Sequence, residues 1–211
     1  MARFLQSLQQ KKAEGLIPVI PDLKRCSPKE GVLLGDRNPA EAALLLEKLG
    51  APALSVVTEE KNFGGSLRLL QDVAAAVSLP VLRKDFLTGE EDLRQTKAAG
   101  ATAVLLIAAC LGRETLARLY EKALALALEP LVEVHTKEEL ALAAALCAPL
   151  IGINNRDILA LEKDDGDLAR TRELAALAPP DTCLISESGI ASPREAREAV
   201  RSGAGAVLVG T

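Results

Sequence analysis

Polar side chains stand at the ends of apolar runs in five parts of the sequence. These residues are Asp22, Lys24, Lys84, Glu133, Asn154 and Glu187. Lysines can bind anions or donate protons and carboxylates can accept protons, so the set suits acid–base chemistry on an anionic substrate. A solvated strand end is the commoner explanation for one such residue, but five ends that converge favour a functional site.

Eight apolar runs must position these side chains. They cover residues 16–23, 53–57, 80–84, 103–109, 130–134, 150–154, 183–187 and 206–210. Segments rich in Ala, Leu, Glu and Arg separate them, and several of these begin with acidic residues and end at Gly, as helices do. Alternation within a strand points each polar group the same way as the apolar residue two positions before it.

This regular βα alternation predicts one (β/α)8 TIM barrel over residues 1–211, after a short N-terminal helical extension. A doubly wound open sheet is the alternative. The chain stops at "VLVGT", so the eighth helix is absent from this sequence, through truncation or a tail that is not represented. In a barrel the five polar strand ends meet at one mouth, where barrel enzymes carry their catalytic groups.

Composition excludes several classes of partner. The net charge of −4 argues against binding nucleic acid or an anionic membrane, and no apolar run is long enough to span a bilayer. The four cysteines lack CxxC spacing and are expected to be reduced thiols, which suggests the cytoplasm. With His135 as the single histidine, a zinc site or a Ser-His-Asp triad is disfavoured.

Two glycine-containing turns indicate a phosphate site. "SESG" at 186–189 and "VGT" at 209–211 follow the last two strands, where backbone N–H groups can approach a phosphate. Ser27, after the first strand, is expected on the same side. The sequence contains neither GxGxxG nor GxxxxGK[ST], which argues against dinucleotide and P-loop binding.

Six motifs together resemble indole-3-glycerol phosphate synthase, and they occur in the order found in that family. They are "PVIPDLKRCSPKEG", "SVVTEEKNFGGSL", "PVLRKDF", "LVEVHTKEEL", "IGINNRDI" and "SESGI" followed by "GAGAVLVG". The resemblance implies a barrel enzyme of tryptophan biosynthesis without metal or cofactor. Such an enzyme closes the ring of 1-(2-carboxyphenylamino)-1-deoxyribulose 5-phosphate and releases carbon dioxide and water. Other enzymes of that pathway are the candidate protein partners.

The resemblance also implies roles for individual residues. Lys84 corresponds to the general acid, Lys24 to the lysine that pairs with the substrate carboxylate, Glu133 to the acid/base of dehydration and Asn154 to the amide that orients a hydroxyl. A salt bridge from Lys84 to Asp85 is the structural alternative for the first of these. His135 is expected to shape its loop rather than catalyse.

The remaining site residues follow from the same resemblance. Substrate-binding positions are Arg156, Glu187, Ser188, Phe86 and Leu105, of which the last two line an apolar slot for the aromatic ring, although core packing is an open alternative for both. Phosphate-binding positions are Ser27, Gly189, Gly210 and Thr211. Arg25, on the opposite strand face, is expected to be structural or solvated.

The sequence departs from the family in two places. Asp22 occupies a position in the catalytic cluster where the family has glutamate, and the N-terminal segment that helps to cover the substrate is shorter, so a reduced lid is expected. Two other functions therefore stay open. One is another phosphate-binding barrel enzyme, of the sugar-phosphate isomerase type, and the other is a weakened or non-catalytic ligand-binding barrel.

Lengthening Asp22 tests the first departure. Aspartate is one methylene shorter than glutamate, and misplacements on the order of 1 Å can cost about 100-fold in rate. Asp22→Glu is expected to raise kcat by several-fold to roughly 100-fold, measured by indole fluorescence with the carboxyphenylamino deoxyribulose phosphate. A fall in kcat, with the fold intact by circular dichroism, would show that the site has adapted to aspartate.

Overall fold

The computed structural model describes residues 3–156 and 167–210, and in that part of the chain eight parallel strands close into a barrel. These strands are β1 (Val19–Leu23), β4 (Leu54–Val57), β5 (Val81–Lys84), β6 (Ala103–Ile107), β7 (Glu129–Val134), β8 (Leu150–Asn154), β9 (Cys183–Glu187) and β10 (Ala206–Val209). The barrel is closed by β1, which pairs with both β10 and β4. Closure confirms the barrel prediction and excludes the open sheet.

Helices connect the strands, as parallel pairing requires. They are α1 (Arg3–Ala13), α2 (Pro39–Lys48), α3 (Leu67–Ala76), α4 (Glu90–Ala98), α5 (Ala108–Ala125), α6 (Lys137–Ala145), α7 (Ala169–Ala175) and α8 (Pro193–Arg201). Ser66, Thr136 and Ser192 accept a backbone N–H at the starts of α3, α6 and α8. Within the two described ranges, every helix is too short or too polar to cross a bilayer.

Two details differ from the sequence prediction. The run 103–109 is a strand only to Ile107, where α5 begins, and that helix is interrupted at Gly112, whose φ is 66°. The segment that follows β1 also forms a small antiparallel hairpin of β2 (Cys26–Ser27) and β3 (Gly31–Val32). Strands of two residues are too short to show any periodicity in the sequence.

Apolar side chains from alternate strand positions fill the barrel interior. This inner cluster includes Ile20, Leu82, Leu105, Leu131, Leu150, Ile185 and Leu208. Other clusters lie between the strands and the surrounding helices. The same alternation continues into the polar residues at the carboxyl ends of the strands, so the packed interior forms the floor of the mouth.

Helix α1 closes the barrel at the end opposite to the mouth. Phe4 and Leu8 are buried in the inner cluster. The backbone N–H groups of Phe4 and Leu5 donate to the carboxylate of Glu129, the first residue of β7, at 3.0 Å for Leu5. This N-terminal helix therefore seals the floor of the barrel.

Candidate active site

A cavity of about 410 Å³ occupies the mouth of the barrel. Its walls are Asp22, Lys24, Lys29, Glu30, Lys84, Arg156, Glu187, Ser188, Gly189, Ile190, Ala191, Glu195, Leu208 and Gly210. The ends of β1, β5, β8, β9 and β10 and the loops that follow them all contribute. Most of the residues predicted from the sequence thus meet around one space that combines cationic, acidic and backbone donor groups.

Two carboxyl groups are buried side by side at this cavity, and one of them, that of Glu187, forms part of its wall. Glu133 is 0% exposed and Glu187 is 1% exposed. Burial raises the pKa of Glu187 to about 8, and the charges of Glu133 and Asp22 act in the same direction, whereas Lys84 opposes them. Glu187 therefore holds a proton at neutral pH. Both oxygens of Glu187 and Oε2 of Glu133 are buried without a hydrogen-bond partner in the described part of the chain, and a proton on Glu187 would let it donate to Glu133.

Gly152 makes room for this pair. In the strand register, Gly152 on β8 pairs with Glu133 on β7. Asn154, two residues further along β8, pairs with Glu187 on β9. A Cβ atom at Gly152 would overlap Glu187 Oε1 and lie 3.2 Å from Glu187 Cδ. The second carboxyl group can enter the barrel only because β8 has no side chain at this position.

Asn154 orients Glu133 from the neighbouring strand. Its Nδ2 donates to Glu133 Oε1 at 3.2 Å, and its Oδ1 accepts the backbone N–H of Arg156 at 3.1 Å. Arg170 donates to the carbonyl oxygens of Asn154 and Arg156 at 2.6 and 2.7 Å. These bonds fix both the side chain and the backbone where β8 turns into the mouth.

Asn155, which the sequence analysis passed over, joins the ends of β8 and β9. Its Nδ2 donates to Ser186 Oγ and to the carbonyl oxygens of Glu187 and Ser188, at 3.0–3.1 Å. Its Oδ1 accepts from the backbone N–H and the hydroxyl of Thr171. The "INNRD" motif contained it, but strand alternation points it away from the mouth, so the pattern gave no reason to select it.

The two lysines reach the cavity from the ends of β1 and β5. Lys24 is 4% exposed, and its Nζ lies 5.8 Å from the centre of the Phe63 ring. Lys84 ends β5. Both line the cavity, as an anionic substrate requires.

Asp85, the alternative partner considered for Lys84, has a positioning role in the structure. Its Oδ2 accepts from Thr58 at 2.6 Å and from Arg83 at 3.0 Å, and its Oδ1 accepts the backbone N–H of Phe86 at 2.8 Å. The Arg83 side chain also reaches Thr96 on α4. This network holds the end of β5 and so fixes the point from which Lys84 projects.

The predicted phosphate side is formed by backbone and short side chains. Ser188 and Gly189 have φ values of 65° and 68°, a left-handed conformation that is costly for serine. Together with Gly210 they line the cavity. Ser27 lies in the hairpin, where its Oγ accepts the backbone N–H groups of Lys29 and Glu30, and these two residues line the cavity. Thr211 lies outside the described residues.

Several predicted residues sit behind the cavity wall. Glu133 and Asn154 are buried and are not among the residues that line the cavity, whereas Leu105 and Phe86 pack in or against the inner apolar cluster. Arg25 is exposed, as expected. In residues 3–156 and 167–210, no group of three His, Cys, Asp or Glu side chains is placed to hold a metal ion.

Comparison with known proteins gives one consistent match. The family model described as indole-3-glycerol phosphate synthase matches residues 1–211. The chain is 45% identical to the indole-3-glycerol phosphate synthase of Kineococcus radiotolerans, over 92% of this chain and 70% of that one. It is also 45% identical to the synthase of Thermococcus kodakarensis, over 92% and 84%.

A solved structure of the same fold is more distant in sequence. The N-acetylmannosamine-6-phosphate 2-epimerase from Clostridium perfringens superposes with a TM-score of 0.70 at 15% identity, covering 92% of this chain and 86% of that one. This likeness supports the barrel fold alone.

A methyl group at Gly152 tests whether the carboxyl pair controls the site. Gly152→Ala is expected to push Glu187 out of its place, and a displacement on the order of 1 Å should lower synthase turnover by about 100-fold. Gly89→Ala is the matched control, because its Cβ would meet Asp92 Oδ2 at an ordinary 3.6 Å. Turnover within about twofold of wild type in Gly152→Ala would contradict the role given to the pair.

Proposed function

The chain belongs to the indole-3-glycerol phosphate synthase family, and from this premise we propose how its own side chains carry the reaction. The protein is a carboxy-lyase of tryptophan biosynthesis that converts 1-(2-carboxyphenylamino)-1-deoxyribulose 5-phosphate to indole-3-glycerol phosphate. The observation that carries the proposal is the meeting of Lys24, Lys84, Arg156 and Glu187 around one cavity of about 410 Å³.

Lys84 is the proposed acid of the ring closure. As the aromatic carbon attacks the carbonyl carbon, the carbonyl oxygen gains negative charge and takes a proton from the Lys84 ammonium group. Lys24 pairs with the substrate carboxylate and orients it. The bond between this carboxylate and the aromatic carbon then breaks, and carbon dioxide leaves. The buried position of Lys24 beside Phe63 supports this role, because an ion pair is stronger away from water.

Glu133 is the proposed acid/base of the dehydration. The new hydroxyl leaves as water with a proton from an acid, and the adjacent ring carbon gives up a proton to a base. Glu187 retains its own proton at neutral pH, and the buried carboxyl group of Glu133 beside it is the group proposed to exchange protons with the substrate. Asn154 bonds to Glu133 and is placed to orient the hydroxyl that leaves.

The rest of the mouth is proposed to bind the ends of the substrate. The phosphate group is proposed to lie against Ser188, Gly189 and Gly210, whose backbone N–H groups can bind an anion, and the family resemblance assigns Ser27 and Thr211 to the same group. Arg156 and Asp22 position polar groups of the substrate. Phe86 and Leu105 support the aromatic ring from the inner apolar cluster.

The proposal extends to the surroundings in which the protein acts. All four cysteines, Cys26, Cys110, Cys147 and Cys183, are free thiols, which supports a reducing compartment such as the cytoplasm. Other enzymes of tryptophan biosynthesis are the proposed partners, because one of them must supply the substrate.

Replacement of Lys84 tests its role as the acid. Lys84→Met is expected to lower kcat by a factor on the order of 100 or more, because the proton is needed only as charge develops, and to change KM only modestly. Lys97→Met, at an exposed position on α4, is the control and should leave both constants unchanged. A near-normal kcat for Lys84→Met would remove this lysine from the acid role.

A further inference from the structure

His135 lies two residues beyond Glu133, with its ring buried between two carboxylates. Its side chain is 8% exposed. Its Nε2 is 3.5 Å from Glu133 Oε1, and its Nδ1 is 3.3 Å from Glu139 Oε2. His135 directly follows the last residue of β7, and from there its ring approaches the proposed acid/base.

Glu139 is held in place by the start of helix α6, independently of the histidine ring. It is the third residue of the helix, and its backbone N–H donates to Thr136 Oγ1 at 3.2 Å. Its carboxylate turns back and accepts the backbone N–H of His135 at 2.6 Å. A carboxylate in this position also suits the positive end of the helix dipole. Glu139 can therefore orient the ring by accepting the Nδ1 proton.

The orientation of the ring leaves Nε2 facing Glu133. Within the described part of the chain, His135 Nε2 is buried without a hydrogen-bond partner, and its 3.5 Å approach is to Glu133 Oε1, the oxygen that also accepts from Asn154. A neutral ring with its proton on Nδ1 would turn a lone pair toward the carboxylate. A proton on Nε2 would instead join the two groups, and a separation of 3.5 Å is short enough to tighten when substrate binds.

We propose that His135 is a positioning residue for Glu133, which it holds through a proton on Nε2 and keeps in the carboxylate form. Glu139 completes the arrangement by holding the opposite nitrogen, so that a buried Glu139–His135–Glu133 array supports the dehydration step. This inference rests on the role proposed above for Glu133.

The charges around Glu133 agree with this arrangement. The groups that face Glu133 and His135 are Asn154 from β8, Glu187 from β9, Cys110 from α5 and Glu139 from α6, while Lys84 and Asp22 act on Glu187. Burial raises the pKa of Glu187 to about 8, and burial and the nearby carboxylates raise the pKa of the Cys110 thiol. Both remain uncharged at neutral pH, so a proton on each ring nitrogen of His135 would place positive charge beside Glu133.

Two substitutions of His135 test the roles of its two ring nitrogens separately. His135→Gln places an amide N–H near the position of Nε2, where it can donate to Glu133, but it cannot titrate. His135→Asn reaches only as far as Nδ1, so it can bond to Glu139 and not to Glu133. Glu139→Gln retains the acceptor for the His135 backbone and removes only the charge behind the ring.

The experiment measures kcat, KM and their pH dependence for wild type and the three variants. His135→Asn should lower kcat about tenfold and move the acidic limb of the profile up by about one pH unit, because a carboxylate without a cationic neighbour protonates more readily. His135→Gln should retain kcat within about threefold, and Glu139→Gln should shift the acidic limb upward by less than His135→Asn. KM should stay within about threefold throughout, because no contact with substrate is removed.

The results that would overturn the proposed function of the site differ from those that would overturn only the inference about His135. A wild-type protein that does not turn over the substrate, or an active Glu133→Gln variant, overturns the proposed function of the site and this inference with it. An inactive Glu133→Gln alongside His135→Asn with unchanged kcat and pH profile overturns the inference about His135 alone. Equal losses in His135→Asn and His135→Gln, with lower unfolding temperatures and no shift in pH profile, overturn it too, because packing then explains the residue.

Discussion

Two carboxyl groups buried against each other cannot both be ionised in a dry layer of the barrel, and the arrangement of the mouth follows from that constraint. Glu187 takes the neutral form, with its pKa raised to about 8, beside the buried carboxyl group of Glu133. Gly152 provides the space for the pair, and Asn154 donates a hydrogen bond to Glu133. The positive charge of Lys84 acts to lower the pKa of Glu187 and so opposes the effect of burial. A net charge of −4 on the whole chain is compatible with an anionic substrate because these local groups set the potential where it binds.

The precision of this pair depends on residues that never reach the cavity. Asn155 ties the ends of β8 and β9 together, and Asp85 with Arg83 fixes the end of β5. Each network is buried and uses most of its donors and acceptors, so the strand ends have little freedom to shift. The barrel floor contributes by packing, since Phe4 on α1 fills the end opposite to the mouth. Acid–base groups are thus carried by strands that are held from both ends.

The sequence predicted the elements whose signal is local. The apolar runs predicted the positions of the eight barrel strands. Seven of these strands lie within their predicted runs, and β7 begins one residue before its run, at Glu129. Alternation within the strands identified Glu133 and Glu187, but their mutual burial depends on the register of β7, β8 and β9, which pairs residues far apart in sequence. Gly152 looked like any strand glycine until that register was known. His135 was assigned to its loop for the same reason, because its distance to Glu133 is set by side-chain orientation rather than by spacing along the chain.

The buried pair of Glu133 and Glu187 keeps one proton at neutral pH, and infrared difference spectroscopy of the carboxyl stretch can detect that proton. A pH titration of the wild-type protein should show a protonated carboxyl band that disappears with a midpoint near pH 8, and Glu187→Gln should lack that band. Glu187→Gln also retains the shape of the side chain, so the fold should be unchanged. If the wild-type spectrum shows every carboxyl group ionised by about pH 6, the pair holds no proton at neutral pH and the account of the site is wrong.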